Sequence, residues 1–274
     1  MAQIDALRGV CYNKPGEVIF LELFEAVNIL GDFLSVRDIP VLSQQTLTEK
    51  YGFVQADVMV LFGGSVLCGG DILAQAIRNG VAKRYMIVGG AGHTTPALRE
   101  KMRPFLPGVE TCSMQEAELF DLYLQKVHHL KADHLETRST NCGNNITNLL
   151  SLLDEQHIPC KSIILTQDGT MQKRMGATLH KFAPKIQCIH YAAYQTHLTR
   201  GMQYDAPIKG MWDVDRYITM LLGEVARLRD DEQGYGPRGK NFIAHVDIPG
   251  VVEKAFGQLQ RLHAIRNANP LFAG

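Results

Sequence analysis

Three side chains in this sequence combine proton-transfer chemistry with a telling position. Asp168 directly follows KSIILTQ (161–167), the strongest apolar segment of the second half. Glu116 sits in an Ala-Glu stretch (EAE, 116–118) that leads into a helical pattern. His93 follows Gly92 in GAGHTT (90–95). A carboxylate at a strand end can act as a general base or accept a ribose hydroxyl, and a nearby imidazole can give or take a proton. Neutral hydrogen-bonding groups crowd into STNCGNN (139–145), where Ser139, Asn141 and Asn145 stand immediately before a helix. Exposed N–H groups at a helix N-terminus favour an anion or carboxylate, although a plain capped loop has the same composition. In QDGTMQKR (167–174), Gln167 adds a carboxamide, and either Lys173 or Arg174 could meet a phosphate or carboxylate.

Two glycine-ended apolar runs would bring these groups together. ADVMVLFGG (56–64) ends in Gly63-Gly64, with Ser65 next, and KRYMIVGGAG (83–92) carries Gly89, Gly90 and Gly92. Paired glycines at the carboxyl end of a strand allow close approach of a ligand and tolerate positive φ. Ligands of open α/β sheets bind at those ends, where strand order reverses. Familiar motifs are missing. GGSVLCGG (63–70) lacks the Lys-Ser/Thr of a P-loop, and GAGHTT lacks the third glycine of a dinucleotide fingerprint. There is no HExxH, HxH, CxxC or GxSxG, so no metal site, catalytic triad or nucleophile elbow is expected.

The elements that must carry these residues alternate. Strands are expected over ADVMVLFGG, ending in Gly63-Gly64, and at 85–88, 134–137, 161–167 and 186–194. Helices are expected at 69–79, from Ser113 (capping box with Glu116) to His129, at 144–156, and after Asp168. Such alternation predicts an α/β, Rossmann-like, doubly wound and mostly parallel sheet. An amphipathic helix over 17–34 and a short one over 43–51 read as a helical cover on that sheet. Residues 1–194 then form the α/β domain. Residues 195–274 form a mainly helical part packed on it, with helices at 212–231 and 249–268.

Composition narrows the function classes. The 274 residues carry 28 basic and 28 acidic side chains, so a nucleic-acid or membrane-surface role is not expected. The six cysteines are scattered, which fits free thiols in a reducing compartment. With no leader pattern and no apolar span, a cytoplasmic protein is expected.

The ordered motifs ADVMVLFGG, IVGGAGH, EAE, STNCGNN and QDGTMQKR, with the run GMWDVDRYITMLLGEVARLRDD, resemble the YdcF branch of the wider ElyC/SanA/YdcF family. The resemblance covers about residues 25–250. It implies a Rossmann-like fold, a pocket at the strand ends and S-adenosylmethionine as ligand, without a defined reaction. It maps the family's positions onto Gly63, Gly64, Gly89, Gly90, Glu116, Ser139, Asn141 and Asn145. Asn144 stands where much of the wider family has Glu, and Gln167-Asp168 where it often has Ser-x-His. Three readings follow. The first is a protein binding S-adenosylmethionine or a similar adenosyl ligand. The second is a hydrolase or transferase on a phosphorylated or glycosylated envelope precursor, using Asp168, Glu116 and His93. The third is a non-catalytic metabolite sensor.

Overall fold

A computed structural model describes residues 21–263. Its centre is a five-stranded sheet in the order β3-β2-β1-β4-β5, with every pair parallel. The strands are β1 (Ala56–Phe62), β2 (Ala82–Val88), β3 (His134–Glu136), β4 (Ser162–Thr166) and β5 (Gln187–His190). β1 shows why its sequence is apolar from Val58 onward. Met59 and Leu61 enter the core on one face, and Val58, Val60 and Phe62 enter the core on the other. A central parallel strand covered on both sides has no solvent face to leave polar.

The helices are α1 (Leu23–Leu34), α2 (Gln44–Tyr51), α3 (Cys68–Asn79), α4 (Thr95–Met102), α5 (Glu116–Tyr123), α6 (Cys142–Glu155), α7 (Gln172–Phe182), α8 (Val214–Leu228) and α9 (Gly250–Gln260). α3 and α5 cover one face through Leu73, Ala74, Leu119 and Phe120. α6 and α7 cover the other through Ile146, Leu149, Met175 and Leu179. The chain therefore winds outward from β1 to β3 on one face, then returns to β4 and β5 on the other. The reversal places a topological switch point between β1 and β4. This is the doubly wound α/β fold expected from the alternation.

Several boundaries moved for identifiable reasons. β2 begins at Ala82 because its first turn exposes Lys83 and Arg84, which hid it from an apolar pattern. The expected strand over 186–194 stops at His190. Beyond it Tyr191 N and Ala193 N still donate to Leu165 O and Gln167 O, while Tyr191 also bridges to Arg37. α5 starts at Glu116, not Ser113. Its capping box pairs Gln115 with Glu118, whose carboxylate accepts from Gln115 N at 2.7 Å. α5 continues as a π-helical turn over Leu124–His128, and His129 ends it at φ 56°. Gly80 closes α3 at φ 60°, a conformation that favours glycine.

A third apolar cluster lies off the sheet. Ala26, Val27, Leu30 and Leu34 of α1 pack with Ile218, Leu221 and Val225 of α8 and with Val252, Phe256 and Leu259 of α9. The N-terminal helix thus shares its core with the C-terminal helices, and the division at residue 194 runs through that core. Gln258 ties the ends together, accepting from Leu21 N at 3.2 Å and donating to Leu21 O at 2.7 Å. The start of the 17–34 helix and the end of the 249–268 helix lie outside the described residues, as does Cys11. The other five cysteines are free thiols. No described helix is long and apolar enough to cross a membrane.

Candidate functional site

The loops after β1, β2, β3 and β4 meet at the carboxyl edge of the sheet, in two distinct ways. On the β2 side the glycines are filled by protein. A methyl group added at Gly63 would stand 2.4 Å from Glu116 Oε2, and one at Gly89 would stand 3.1 Å from Gly63 Cα. At Gly90 it would meet the main-chain oxygen of Ser139 at 2.2 Å. None of these glycines has positive φ. Their smallness allows neighbouring loops and the α5 N-terminus to close together. Glu116 N and Ala117 N donate to the carbonyls of Gly90 and Gly89, at 3.0 and 2.8 Å.

Glu116 turns its carboxylate into this junction and is 7% exposed. Thr95 Oγ1 donates to its Oε1 at 2.7 Å and Thr94 Oγ1 at 3.3 Å. Burial raises the Glu116 pKa, and the threonine hydroxyls oppose the rise. Thr95 Oγ1 also accepts from Gly92 N at 2.7 Å, which fixes the turn that presents His93 on the surface.

The Ser/Asn loop largely satisfies itself. Asn141 caps α6, its side chain accepting from Gly143 N and Asn144 N at 2.9 and 3.0 Å. Asn144 Oδ1 returns to Thr140 N and Asn141 N, both at 2.9 Å, completing a capping box. Ser139 Oγ accepts from Gly90 N at 3.1 Å. Asn145 lies buried one turn into α6. Glu136, at the end of β3, shapes the loop from below. It accepts from Arg138 N at 2.7 Å, Ser139 N at 3.3 Å and Asn148 Nδ2 at 3.0 Å.

The β4 side is different. Gln167 N donates to Gln172 Oε1 at 2.8 Å, Gln167 Nε2 reaches Gly63 O at 3.1 Å, and Asp168 N donates to Gln167 Oε1 at 2.6 Å. These bonds aim Asp168 into the protein, where it is 5% exposed. Its Oδ1 accepts from the Tyr194 hydroxyl and from Thr170 N and Oγ1, the last two at 3.3 Å. Its Oδ2 accepts from nothing. Among the described residues, the buried side-chain polar atoms without a partner are Asp168 Oδ2 and Thr166 Oγ1, two residues apart at the end of β4. Burial pushes the Asp168 carboxyl up to about 6, against the pull of Tyr194 and Thr170. Burial also raises the Tyr194 phenol, so it stays the proton donor. Gly64 borders this carboxylate. A methyl group added there would lie 3.5 Å from Gln167 Oε1 and 4.0 Å from Asp168 Oδ2, ordinary contacts both.

The two basic residues of the following helix turn elsewhere. Arg174 forms a two-pronged pair with Glu224 of α8, at 2.5 and 2.9 Å. Lys173 Nζ lies 4.3 Å above the Phe33 ring of α1. They dock α7 on the outer helices. A different lysine reaches the β1 turn: Lys101 Nζ donates to Ser65 O at 2.9 Å and Gly210 O at 2.6 Å. Trp212 Nε1 donates to Ser65 Oγ at 2.8 Å, and Lys209 Nζ reaches Tyr123 Oη at 2.8 Å and Asp71 Oδ2 at 3.2 Å. Residues 209–212 therefore form a strap across the turn after β1.

Open clefts lie outside the β1–β4 junction, one of them reaching Thr137 in the loop after β3. One of about 710 Å³ runs along α5 beside Gln115, Glu118 and Asp121. Another of about 510 Å³ lies at the amino end of the strands, beside Asp57, Arg84 and His157. Neither includes an orphaned polar atom. Among the described residues, no cluster of three His, Cys, Asp or Glu side chains is placed to hold a metal ion. The chain matches no protein-family model.

Of the residues expected from the sequence, Asp168, Gly64, Ser65 and Gln167 come together. Tyr194, Lys101, Trp212 and Glu136 are site residues outside that expectation. Tyr194 was hidden inside an expected strand. Trp212 is the single tryptophan, which was a usable signal. Lys101 gave none, because its partners lie 36 and 109 positions away.

Proposed function

We propose that this protein binds a small adenosyl-type ligand, with S-adenosylmethionine the first candidate, at the carboxyl ends of β1 and β4. One observation carries the reading: a buried carboxylate oxygen, Asp168 Oδ2, is unpartnered at the topological switch point. Leaving such an atom unsatisfied costs about 1–3 kcal/mol or more, and a ligand donor there would recover it. An adenosyl ligand brings suitable donors, namely ribose hydroxyls and, in S-adenosylmethionine, an ammonium group. Gly64 leaves main chain rather than a side chain beside that oxygen. The likeness to the YdcF branch supports the choice of ligand.

A second reading draws on the same carboxylate. A carboxyl pushed up to about 6 holds and releases a proton near neutrality, as a hydrolase or transferase acting on a phosphorylated or glycosylated precursor requires. The two readings separate on Asp168→Asn. Titration calorimetry of the full chain with S-adenosylmethionine should give saturable heat that this variant weakens. Absence of heat up to about millimolar ligand, a binding free energy weaker than about −4 kcal/mol, overturns the first reading.

A further inference from the structure

Two opposite kinds of unmet polarity face each other at Gly64. The turn after β1 supplies donors. The main-chain N–H groups of Gly64, Ser65 and Val66 are buried and meet no acceptor among the described residues. Buried N–H groups without a partner are rare in folded proteins. The turn runs into α3, whose N-terminus has no side-chain cap, so the positive end of the helix dipole lies behind it. Lys101 adds a full charge at Ser65; its two hydrogen-bond acceptors are neutral carbonyls, and the carboxylate that acts on it is Asp168 itself. This wall favours an anion. The facing wall is Asp168 Oδ2, buried, without a donor, and 4.0 Å from where a Gly64 methyl group would stand. That wall favours a cation.

A phosphate would satisfy the first wall and be repelled by the second. A simple amine would do the reverse. A group with both signs on adjacent atoms satisfies both. We infer that the Gly64–Asp168 end of the site takes the α-ammonium carboxylate of an amino acid. The carboxylate lies on the N–H groups of residues 64–66, and the ammonium on Asp168 Oδ2. This rests on the adenosyl reading and gives it a direction, since S-adenosylmethionine carries such a group at one end. The amino-acid end lies inward at Asp168 and the adenosine end lies away from it.

The test is titration calorimetry of the full chain with S-adenosylmethionine, S-adenosylhomocysteine, methylthioadenosine and L-methionine. Methylthioadenosine keeps the adenosine and lacks the amino-acid end. It should bind at least about 100-fold more weakly than S-adenosylmethionine, the size of effect seen when a buried charge partner is removed. Asp168→Asn should weaken S-adenosylmethionine and S-adenosylhomocysteine by about 100-fold and leave methylthioadenosine unchanged. Lys101→Met should act in the same selective way through the carboxylate. It also stands in if the Asp168 variant fails to unfold cooperatively. Equal binding of methylthioadenosine and S-adenosylmethionine, or equal weakening of both by the two variants, overturns this inference and leaves the adenosyl reading intact. Asp168-dependent binding of L-methionine, with none of the adenosyl compounds bound, overturns the adenosyl reading and keeps the amino-acid site. Binding of no probe at millimolar concentration removes both.

Discussion

Glu116 and Asp168 are two buried carboxylates at the same edge of one sheet, and their surroundings are unlike. Glu116 sits where three glycines have been closed by protein, with two threonine hydroxyls on one of its oxygens. Asp168 has one oxygen contacted by Tyr194 and Thr170 and the other by no donor. Glycine at a strand end therefore marks close approach, and the approaching group can be the chain itself. An orphaned buried atom is the better guide to where a ligand belongs, because its cost persists until something pairs with it. By this criterion the β1–β4 junction is the binding edge we propose, and the β2–β3 side is its scaffold.

Mutation of the glycines tests that contrast most severely. Gly90→Ala places a methyl group 2.2 Å from Ser139 O and 2.7 Å from Thr137 O, both main-chain atoms. It should destabilise the fold by about 3 kcal/mol or more, lowering the thermal midpoint by roughly 10 °C. A midpoint within a degree of the parent would refute the scaffold assignment.

Acid titration compares the carboxylates next. The Asp168 pKa rises from an ordinary 3.8 to about 6 on folding. Between those values the folded chain holds a proton that the unfolded chain has released. Stability is therefore highest below about pH 4 for this group, and it falls by about 3 kcal/mol as pH rises through about 6. Urea unfolding of the parent and of Asp168→Asn across this range should give curves that diverge as pH rises, with the variant relatively more stable at neutral pH. Glu116 is also raised by burial, so it contributes the same sign to both proteins and cancels in the difference. Parallel curves would mean that Asp168 carries no such strain.

The smallest stability effect belongs to Gly64→Ala. Its methyl group meets only ordinary contacts, and φ is not positive there. Thermal unfolding should stay within about 0.5 kcal/mol of the parent, while affinity for S-adenosylmethionine falls. A loss of stability comparable to that of Gly90→Ala would erase the distinction between the two sides.

Much of the architecture was legible because the sheet is central and apolar. β1 and β4 read directly from the uninterrupted apolar runs Val58–Phe62 and Ile163–Leu165 within them. β2 was cut short and β5 overrun because apolar content fails at a strand's exposed start and persists beyond a strand's end. Tyr191–Tyr194 is buried as densely as a strand, yet it crosses toward Asp168. Ser113 lost the helix cap to Gln115 because Glu118 offered a second partner three residues on, a competition that local spacing cannot decide. At the site, Asp168, Gly64 and Gln167 were legible as residues following strands. Arg174 was readable as a charge but not as the partner of Glu224, fifty positions later. The strap over Ser65 depends wholly on contacts between distant segments.

The meeting of α1 with α8 and α9 has a consequence for how the chain is made. Leu21 and Gln258 are bonded across 237 positions, and the apolar face of α1 has its partners in those last helices. Domains tend to fold from the N-terminus as they emerge from the ribosome, but α1 cannot bury its face that way. The sheet can assemble while Ala26, Val27, Leu30 and Leu34 still lack their cover. Completion of the outer core waits for α9, so a nascent chain stalled after β5 would present that stripe to chaperones.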